Sequence, residues 1–158
     1  MINYIKNLIF GKVSWGDIHP NGFMCEFYLV YMPHGRILNL TFDSINGEEG
    51  RLFVKSRSKY NKENDIDCED RGMKTGSSIV LALIGLSKAK SFRAKIMDGW
   101  RSRISGCQQG LYFNNSYVIG SRSDCRELSD QLSALVNLVI KTYAQQDDAS
   151  GRTAPGAH

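Results

Sequence analysis

The turn from residue 71 to residue 78 holds residue types that bind anions in many proteins. It reads Arg71-Gly-Met-Lys-Thr-Gly-Ser-Ser78 and precedes an apolar run, Ile79 to Leu86. Backbone N–H groups at a helix N-terminus bind phosphate when glycines allow close approach and a lysine or arginine lies nearby. The candidate anion-binding residues are Arg71, Gly72, Lys74, Gly76, Ser77 and Ser78. The GxxxxGK[ST] pattern of a P-loop is absent, and capping of a buried helix by glycine and serine is the simpler interpretation.

The same string resembles the pyrophosphate-binding loop and following helix of the GNAT acyltransferases, whose pattern is roughly Arg/Gln-x-x-Gly-x-Gly/Ala. Arg71 and Gly76 match the outer positions, and Lys74 stands at the central glycine. The helix that follows the loop in that family is similar to Ser77–Lys90. The resemblance implies one alternative function, an acyl-CoA-dependent acyltransferase that uses the Arg71–Ser78 loop.

Two neighbouring segments carry opposite charge, although the formal net charge of the chain is only +4. Residues 63–70, the acidic segment, hold five acids and no base, whereas residues 71–103 hold eight bases and one acid. The acids are Glu63, Asp65, Asp67, Glu69 and Asp70. Because the segment lacks apolar periodicity, we predict an exposed loop. It also lacks the glycine and terminal glutamate of a calcium loop.

Six of the eight bases of residues 71–103 lie in the C-terminal half of that range and form another candidate surface. We call residues 88–103 the basic segment. Its six bases are Lys88, Lys90, Arg93, Lys95, Arg101 and Arg103, with Trp100 between them as a candidate hot spot. On a helix these bases would flank an apolar stripe of Ala89, Phe92 and Ile96, as long basic side chains do around a buried stripe. Aromatic residues among bases are also typical of nucleic-acid binding. A protein partner is therefore the first hypothesis and nucleic acid the alternative.

Cysteine and histidine positions predict no metal site and no catalytic pair. Cys25, Cys68, Cys107 and Cys125 are at least 18 residues apart, whereas structural zinc sites usually take their ligands as close pairs. His19 and His34 stand at opposite ends of the strand that holds Cys25, about 20 Å away by strand geometry. We therefore expect no metal and no cofactor, and the residues favour a non-catalytic protein over an enzyme without deciding between them.

The pattern along the chain predicts an α+β fold, an antiparallel sheet packed by two main helices. Strands are expected near 23–32, 36–43, 51–57, 108–113 and 117–122, and helices at 77–97 and 125–145. The last two strands would form a hairpin around Asn114-Asn-Ser116. Asp124 and Glu127 have the spacing of a capping box for the second helix. Strands that cluster before helices, without βαβ alternation, favour this class.

Composition and length indicate one domain at 1–146, followed by a disordered tail or histidine-tag remnant at 147–158. Apolar residues make up 42% and charged residues 23% of the 158 residues, which is ordinary for a soluble domain. No apolar run reaches the ~18–20 residues of a membrane-spanning helix, so no membrane partner is expected. The absence of a secretory signal pattern favours the cytoplasm and reduced thiols; two disulfides in a secreted form are the alternative.

Taken together, the residues favour a small non-catalytic binding protein of the inhibitor, immunity or adaptor type. It would act through the acidic segment as a loop and the basic segment as a helix. The sequence names no partner and no oligomeric state.

Overall fold

A seven-stranded sheet dominates the computed structural model, which describes residues 14–31, 35–60, 62–93, 99–120 and 125–144. The strands lie in the order β4-β3-β2-β1-β6-β7-β5. They are β1 (Phe23–Tyr31), β2 (Arg36–Ser44), β3 (Glu49–Ser58), β4 (Ile66–Lys74), β5 (Phe92–Arg93), β6 (Gly99–Gln108) and β7 (Leu111–Gly120). Every neighbouring pair is antiparallel except β5 and β7, which are parallel.

Three helices accompany the sheet in the described ranges. They are α1 (Trp15–Ile18), α2 (Ser78–Lys88) and α3 (Arg126–Val139), and α3 continues into a π-helical turn at Ile140–Ala144. A 3-10 turn, Lys62–Asn64, precedes β4. The fold is therefore α+β with two main helices, as predicted, but its sheet is larger than the five strands expected.

Alternation along the strands buries one face of the sheet. Phe27 and Leu29 of β1 are fully buried, whereas Glu26 and Tyr28 between them are exposed. The inward side chains form one apolar cluster with Leu83 of α2 and other apolar residues of α2 and α3. One face of the sheet thus contributes to the core, and the other, which we call the open face, does not.

Side chains from β7 hold the C-terminal end of α2. Asn115 Nδ2 donates hydrogen bonds to the carbonyls of Leu86 at 3.3 Å and Ser87 at 2.7 Å, and the Tyr117 hydroxyl donates to Leu86. The last carbonyls of a helix have no intrahelical partner, so these bonds satisfy them inside the protein. Ala89 then turns to extended geometry, with φ −71° and ψ 153°.

The predicted helix at 77–97 is wrong beyond Lys88. Ala89, which the apolar stripe placed within a helix, is the C-cap of α2, and Phe92 begins β5. Residues 94–98 lie outside the described residues. The described part of the basic segment after Lys88 is therefore not helical: Arg93 belongs to β5, and Arg101 and Arg103 belong to β6.

The predicted acidic loop is also wrong, because its second half is the edge strand β4. Ile66 is buried at 1% exposure, while Asp67 and Glu69 point outwards and are exposed. Acids are depleted in strands in general, but an edge strand tolerates them because its outward side chains remain in water.

The predicted hairpin around Asn114–Ser116 is wrong: residues 111–113 and 117–120 of the strands expected at 108–113 and 117–122 belong to the single strand β7, and residues 121–122 lie outside the described residues. β6 and β7 are joined at Gln109-Gly110, where both residues have positive φ (50° and 77°), as a two-residue type I′ turn requires. Asn114 and Asn115 lie within β7 instead.

The strands predicted at 23–32, 36–43 and 51–57 are confirmed as β1, β2 and β3, with Met32 outside the described residues. The helix predicted at 125–145 is confirmed from Arg126 to Ala144. Its expected cap, Asp124, and the tail at 147–158 lie outside the described residues.

Candidate binding face

The open face presents large apolar side chains to solvent. Tyr28 is 44% exposed, Ile37 39% and Phe53 38%. They lie on the adjacent strands β1, β2 and β3, on the side of the sheet opposite α2 and α3. The short helix α1 lies on the open face near its other end, where the Gly16 N–H donates a hydrogen bond to the Tyr112 hydroxyl at 3.1 Å. Single exposed apolar residues are ordinary, but apolar residues grouped on one surface mark interaction sites.

Strand register arranges the open face in cross-strand rows. One row runs through Lys55, Asn39, Tyr28, Arg103 and Ser116, from β3 to β7. The next row runs through Arg57, Ile37, Val30, Arg101 and Val118, and Arg93 of β5 lies beside Val118. We call the five bases of these two rows the basic end: Lys55, Arg57, Arg93, Arg101 and Arg103. All five are exposed.

The ion pairs of the described residues lie away from the basic end. Arg51 pairs with Asp43 at 3.1 Å, Arg71 with Glu69 at 3.0 Å and Lys74 with Glu49 at 2.6 Å. Hydrogen bonds from these bases to their carboxylate partners raise the pKa of Arg51 and of Lys74. Surface pairs like these add little stability, but they neutralise the positive charge in the part of the sheet where they lie.

No base of the basic end forms an ion pair with another of the described residues. Arg103 Nε donates a hydrogen bond to Asn114 Oδ1 at 3.2 Å, and that amide is neutral. Asp67 is the register partner of Lys55 but forms no ion pair with it within the described part of the chain. The basic end therefore keeps a net positive charge.

A groove of about 440 Å³ crosses β3 on the same face. Its lining on the open face is mixed in charge and character: Asn39, Thr41, Phe53, Lys55, Asp67 and Glu69. The groove places Asp67 and Glu69 of the acidic segment on the same face as the basic end.

The remaining acids of that segment are placed elsewhere. Asp65 accepts a hydrogen bond from the Ser58 backbone N–H at 3.0 Å, and Glu63 lies in the 3-10 turn. Asp70 points the other way and accepts a hydrogen bond from the Tyr143 hydroxyl at 2.9 Å. These three residues therefore do not join Asp67 and Glu69 on one surface.

The basic segment is divided in a similar way. Arg93, Arg101 and Arg103 share the open face, while Lys88 ends α2 and Lys90 follows it in an exposed connection. Lys95 lies outside the described residues. Trp100, at 8% exposure, stacks on Tyr31 with 4.1 Å between ring centroids. Its ring therefore packs in the core and does not form an exposed anchor.

The anion-binding turn predicted at 71–78 is a turn only in its second half: residues 71–74 are the end of β4, and residues 75–77 connect β4 to α2. Ser77 caps α2, and the Thr75 hydroxyl donates to the Gly47 carbonyl at 2.7 Å. Arg71 and Lys74, the two cations of the turn, both pair with carboxylates. Gly72 lies in β4 with φ +77°, Gly76 has open space where a Cβ would stand, and Ser78 is the first residue of α2. The contacts of the turn are those of a helix cap.

The thiol of Cys25 is inert. It lies in the core at 2% exposure, and burial raises its pKa to about 12, whereas the reactive form of cysteine is the thiolate. His19, the C-cap of α1, is described and His34 is not. Within the described residues no disulfide links the cysteines, and no cluster of His, Cys, Asp and Glu could hold a metal ion.

A second concave surface lies between the helices. This groove of about 330 Å³ is mostly apolar and is lined by Leu81, Ala82, Gly85, Ala134 and Leu138, among others. Leu81 is 55% exposed there. No helix in the described ranges has the length and apolar character needed to cross a membrane.

Several residues of the open face were missed from the sequence, and two patterns could have found them. In β3, Arg51, Lys55 and Arg57 alternate with buried residues, so they must share one face. In β1 the charged Glu26 indicates which alternate side chains face solvent, and Tyr28, two residues later, faces the same way.

No protein-family model matches the chain, and a search of curated proteins finds no significant match.

Proposed function

We propose that this chain is a small non-catalytic protein-binding protein, of the inhibitor, immunity or adaptor type, and that the open face of its sheet is the binding surface. The observation that carries the proposal is the exposure of Tyr28, Ile37 and Phe53 on the face of the sheet opposite α2 and α3. An antiparallel sheet with one solvated face normally carries polar residues there. Apolar side chains on three adjacent strands are better explained by a partner that covers them.

The composition of the face supports a protein partner. Tyrosine and arginine are enriched in protein–protein interfaces and among their hot spots. Here Tyr28 lies directly opposite Arg103, and Arg101 lies in the next row. Exposed aromatic and apolar area beside arginine is the usual chemistry of such an interface.

Mixed charge weighs against nucleic acid as the partner. Phosphate binding depends on a surface that neutralises many phosphates at once. Glu26, Asp67 and Glu69 lie on the same face as the basic end, so a phosphate backbone would meet repulsion wherever it left the row of Arg57 and Arg101, which holds no carboxylate. The acyltransferase alternative draws less support still, because Arg71 and Lys74 are both paired with carboxylates.

Affinity capture from the chain's own cell extract tests the proposal with two matched variants. Tyr28→Ser with Phe53→Ser removes apolar surface from the open face, and Leu81→Ser removes it from the groove between the helices. The open-face variant should lose a captured protein that the unchanged chain and the Leu81 variant both retain.

Three results would contradict the proposal. The captured protein could bind all three chains equally, or it could be lost only with Leu81→Ser. The captured material could also disappear after nuclease treatment, which would favour the nucleic-acid alternative.

A further inference from the structure

The bases of the basic end differ from Arg51 and Arg71 of the same face, because none of them pairs with a carboxylate among the described residues. Its bases lie on β3, β6 and β5, and four of the five are arginines. The guanidinium group matches a carboxylate in geometry and binds it through two parallel hydrogen bonds. Within the described residues the carboxylates of Asp43, Glu49 and Glu69 are already paired with other bases.

We infer that the basic end binds an extended stretch of the partner protein that is rich in Asp or Glu and runs across the strands. The inference rests on the proposed function and names the chemistry of the partner at that site.

Register sets the spacing that such a segment must satisfy. Arg57 and Arg101 occupy the same row with β2 and β1 between them, so their strands are about 14 Å apart at ~4.8 Å per strand. Arg93 lies two strands beyond Arg101, about 10 Å further. An extended chain rises ~3.3 Å per residue. Acidic residues four and then about three positions apart would therefore reach Arg57, Arg101 and Arg93 in turn.

The floor between these arginines is aliphatic. Ile37 and Val30 lie between Arg57 and Arg101, and Val118 lies between Arg101 and Arg93. Binding sites for single-stranded nucleic acid instead place aromatic rings under the bases. An occupant with apolar side chains between its acids fits this floor better than a nucleotide chain does.

The test uses the full chain and a fluorescein-labelled peptide with glutamates at positions 1, 5 and 8 and valine or leucine between them. Two probes serve as controls: a peptide of the same composition with the three glutamates adjacent, and an oligouridylate of matched charge. Fluorescence anisotropy at low and moderate salt should show that the spaced peptide binds more tightly than either control. Arg57→Gln with Arg101→Gln should weaken that binding by on the order of tenfold or more, the cost of losing charge-assisted contacts.

Arg51→Gln is the matched variant, because Arg51 lies on the same face but already pairs with Asp43. It should leave peptide affinity nearly unchanged. Melting temperatures of both variants should stay close to that of the unchanged chain, since all three arginines are exposed.

The inference is overturned if the spaced peptide does not bind, if both peptides bind equally, if the oligouridylate binds more tightly, or if Arg51→Gln weakens binding as much as the double variant. Its failure is separable from that of the proposed function. If the double variant still captures the protein that Tyr28→Ser with Phe53→Ser loses, the open face binds a partner and only the acidic chemistry is wrong.

Discussion

Tyr28 on β1 and Arg103 on β6 are direct register partners, and both side chains lie on the open face. Their strands are far apart in the sequence but central in the sheet, which has the order β4-β3-β2-β1-β6-β7-β5. Because β1 pairs with β6, an aromatic residue from the first hairpin is brought beside bases that follow α2. This pairing creates the surface on which the functional proposals depend.

Residues of β6 that alternate between the two faces should respond oppositely to substitution. Trp100→Ala removes a buried ring that stacks on Tyr31 and should cost about 3–5 kcal/mol of unfolding free energy. Arg101→Gln, one residue later and exposed, should change it by less than about 0.5 kcal/mol. The unfolding free energy of both variants is measured by urea unfolding followed by circular dichroism. Tryptophan fluorescence gives a second measurement for Arg101→Gln, which keeps Trp100. Equal effects would contradict the assignment of faces.

Two adjacent asparagines in β7 should differ in the same manner. Asn115→Ala leaves the Ser87 carbonyl at the end of α2 without its side-chain donor, which should cost about 1–3 kcal/mol; the Leu86 carbonyl keeps its hydrogen bond from Tyr117. Asn114→Ala removes only an exposed contact with Arg103 and serves as the control. Chemical denaturation of the two variants checks the difference. A larger loss at Asn114 would mean that the register of β7 is wrong.

Glycines of this chain should give opposite results when changed to alanine. Gly85 lies within α2, and nothing lies within 4 Å of the point that an added Cβ would occupy, so Gly85→Ala should stabilise the chain by about 0.5–1 kcal/mol. A Cβ at Gly106 would collide with the Met24 carbonyl oxygen on the neighbouring strand, so Gly106→Ala should be strongly destabilising. Thermal unfolding of both variants distinguishes these effects. A destabilised Gly85→Ala chain would show that the space beside α2 is filled.

Stability should fall in alkaline solution because of the buried thiol of Cys25. Burial raises its pKa from 9.0 to about 12, so above pH 9 the unfolded chain loses a proton that the folded chain keeps. Stability linked to this group is fully present below pH 9 and decreases up to about pH 12. Denaturant midpoints measured between about pH 8 and pH 11 should fall less steeply for Cys25→Ala, despite its lower stability at the start of that range. If the denaturant midpoint fell equally steeply with pH in both chains, the loss of stability would not come from Cys25.

Local patterns predicted the first three strands and α3 because apolar and β-forming residues are concentrated in those strands and apolar residues recur at helical spacing in α3. They failed where tertiary context decides the outcome. In β4 the acids sit on an edge strand that is held by pairing with β3, an arrangement that no local pattern reveals. The end of α2 at Lys88 depends on hydrogen bonds from Asn115 and Tyr117, which belong to a strand much later in the sequence.

The candidate site was predicted only in part, for the same reason. Arg93, Arg101 and Arg103 were identified by their charge, and Asp67 and Glu69 likewise, but their common face follows from the strand order. Trp100 was predicted to be a hot spot because bases surround it in the sequence, whereas the alternation of β6 turns it inward. Tyr28 was missed because residues 23–32 are nearly all apolar, so their sequence does not show strongly which side chains of β1 face solvent.

The most direct test of the binding face is site-specific photocrosslinking in the chain's own cells. A photoreactive phenylalanine analogue replaces Tyr28 on the open face in one chain and Leu81, in the groove between the helices, in another. We predict a discrete protein adduct from position 28 that is absent from position 81 and reduced by Arg57→Gln with Arg101→Gln. An adduct from position 81 alone, or none from position 28, would contradict the assignment of the open face as the binding surface.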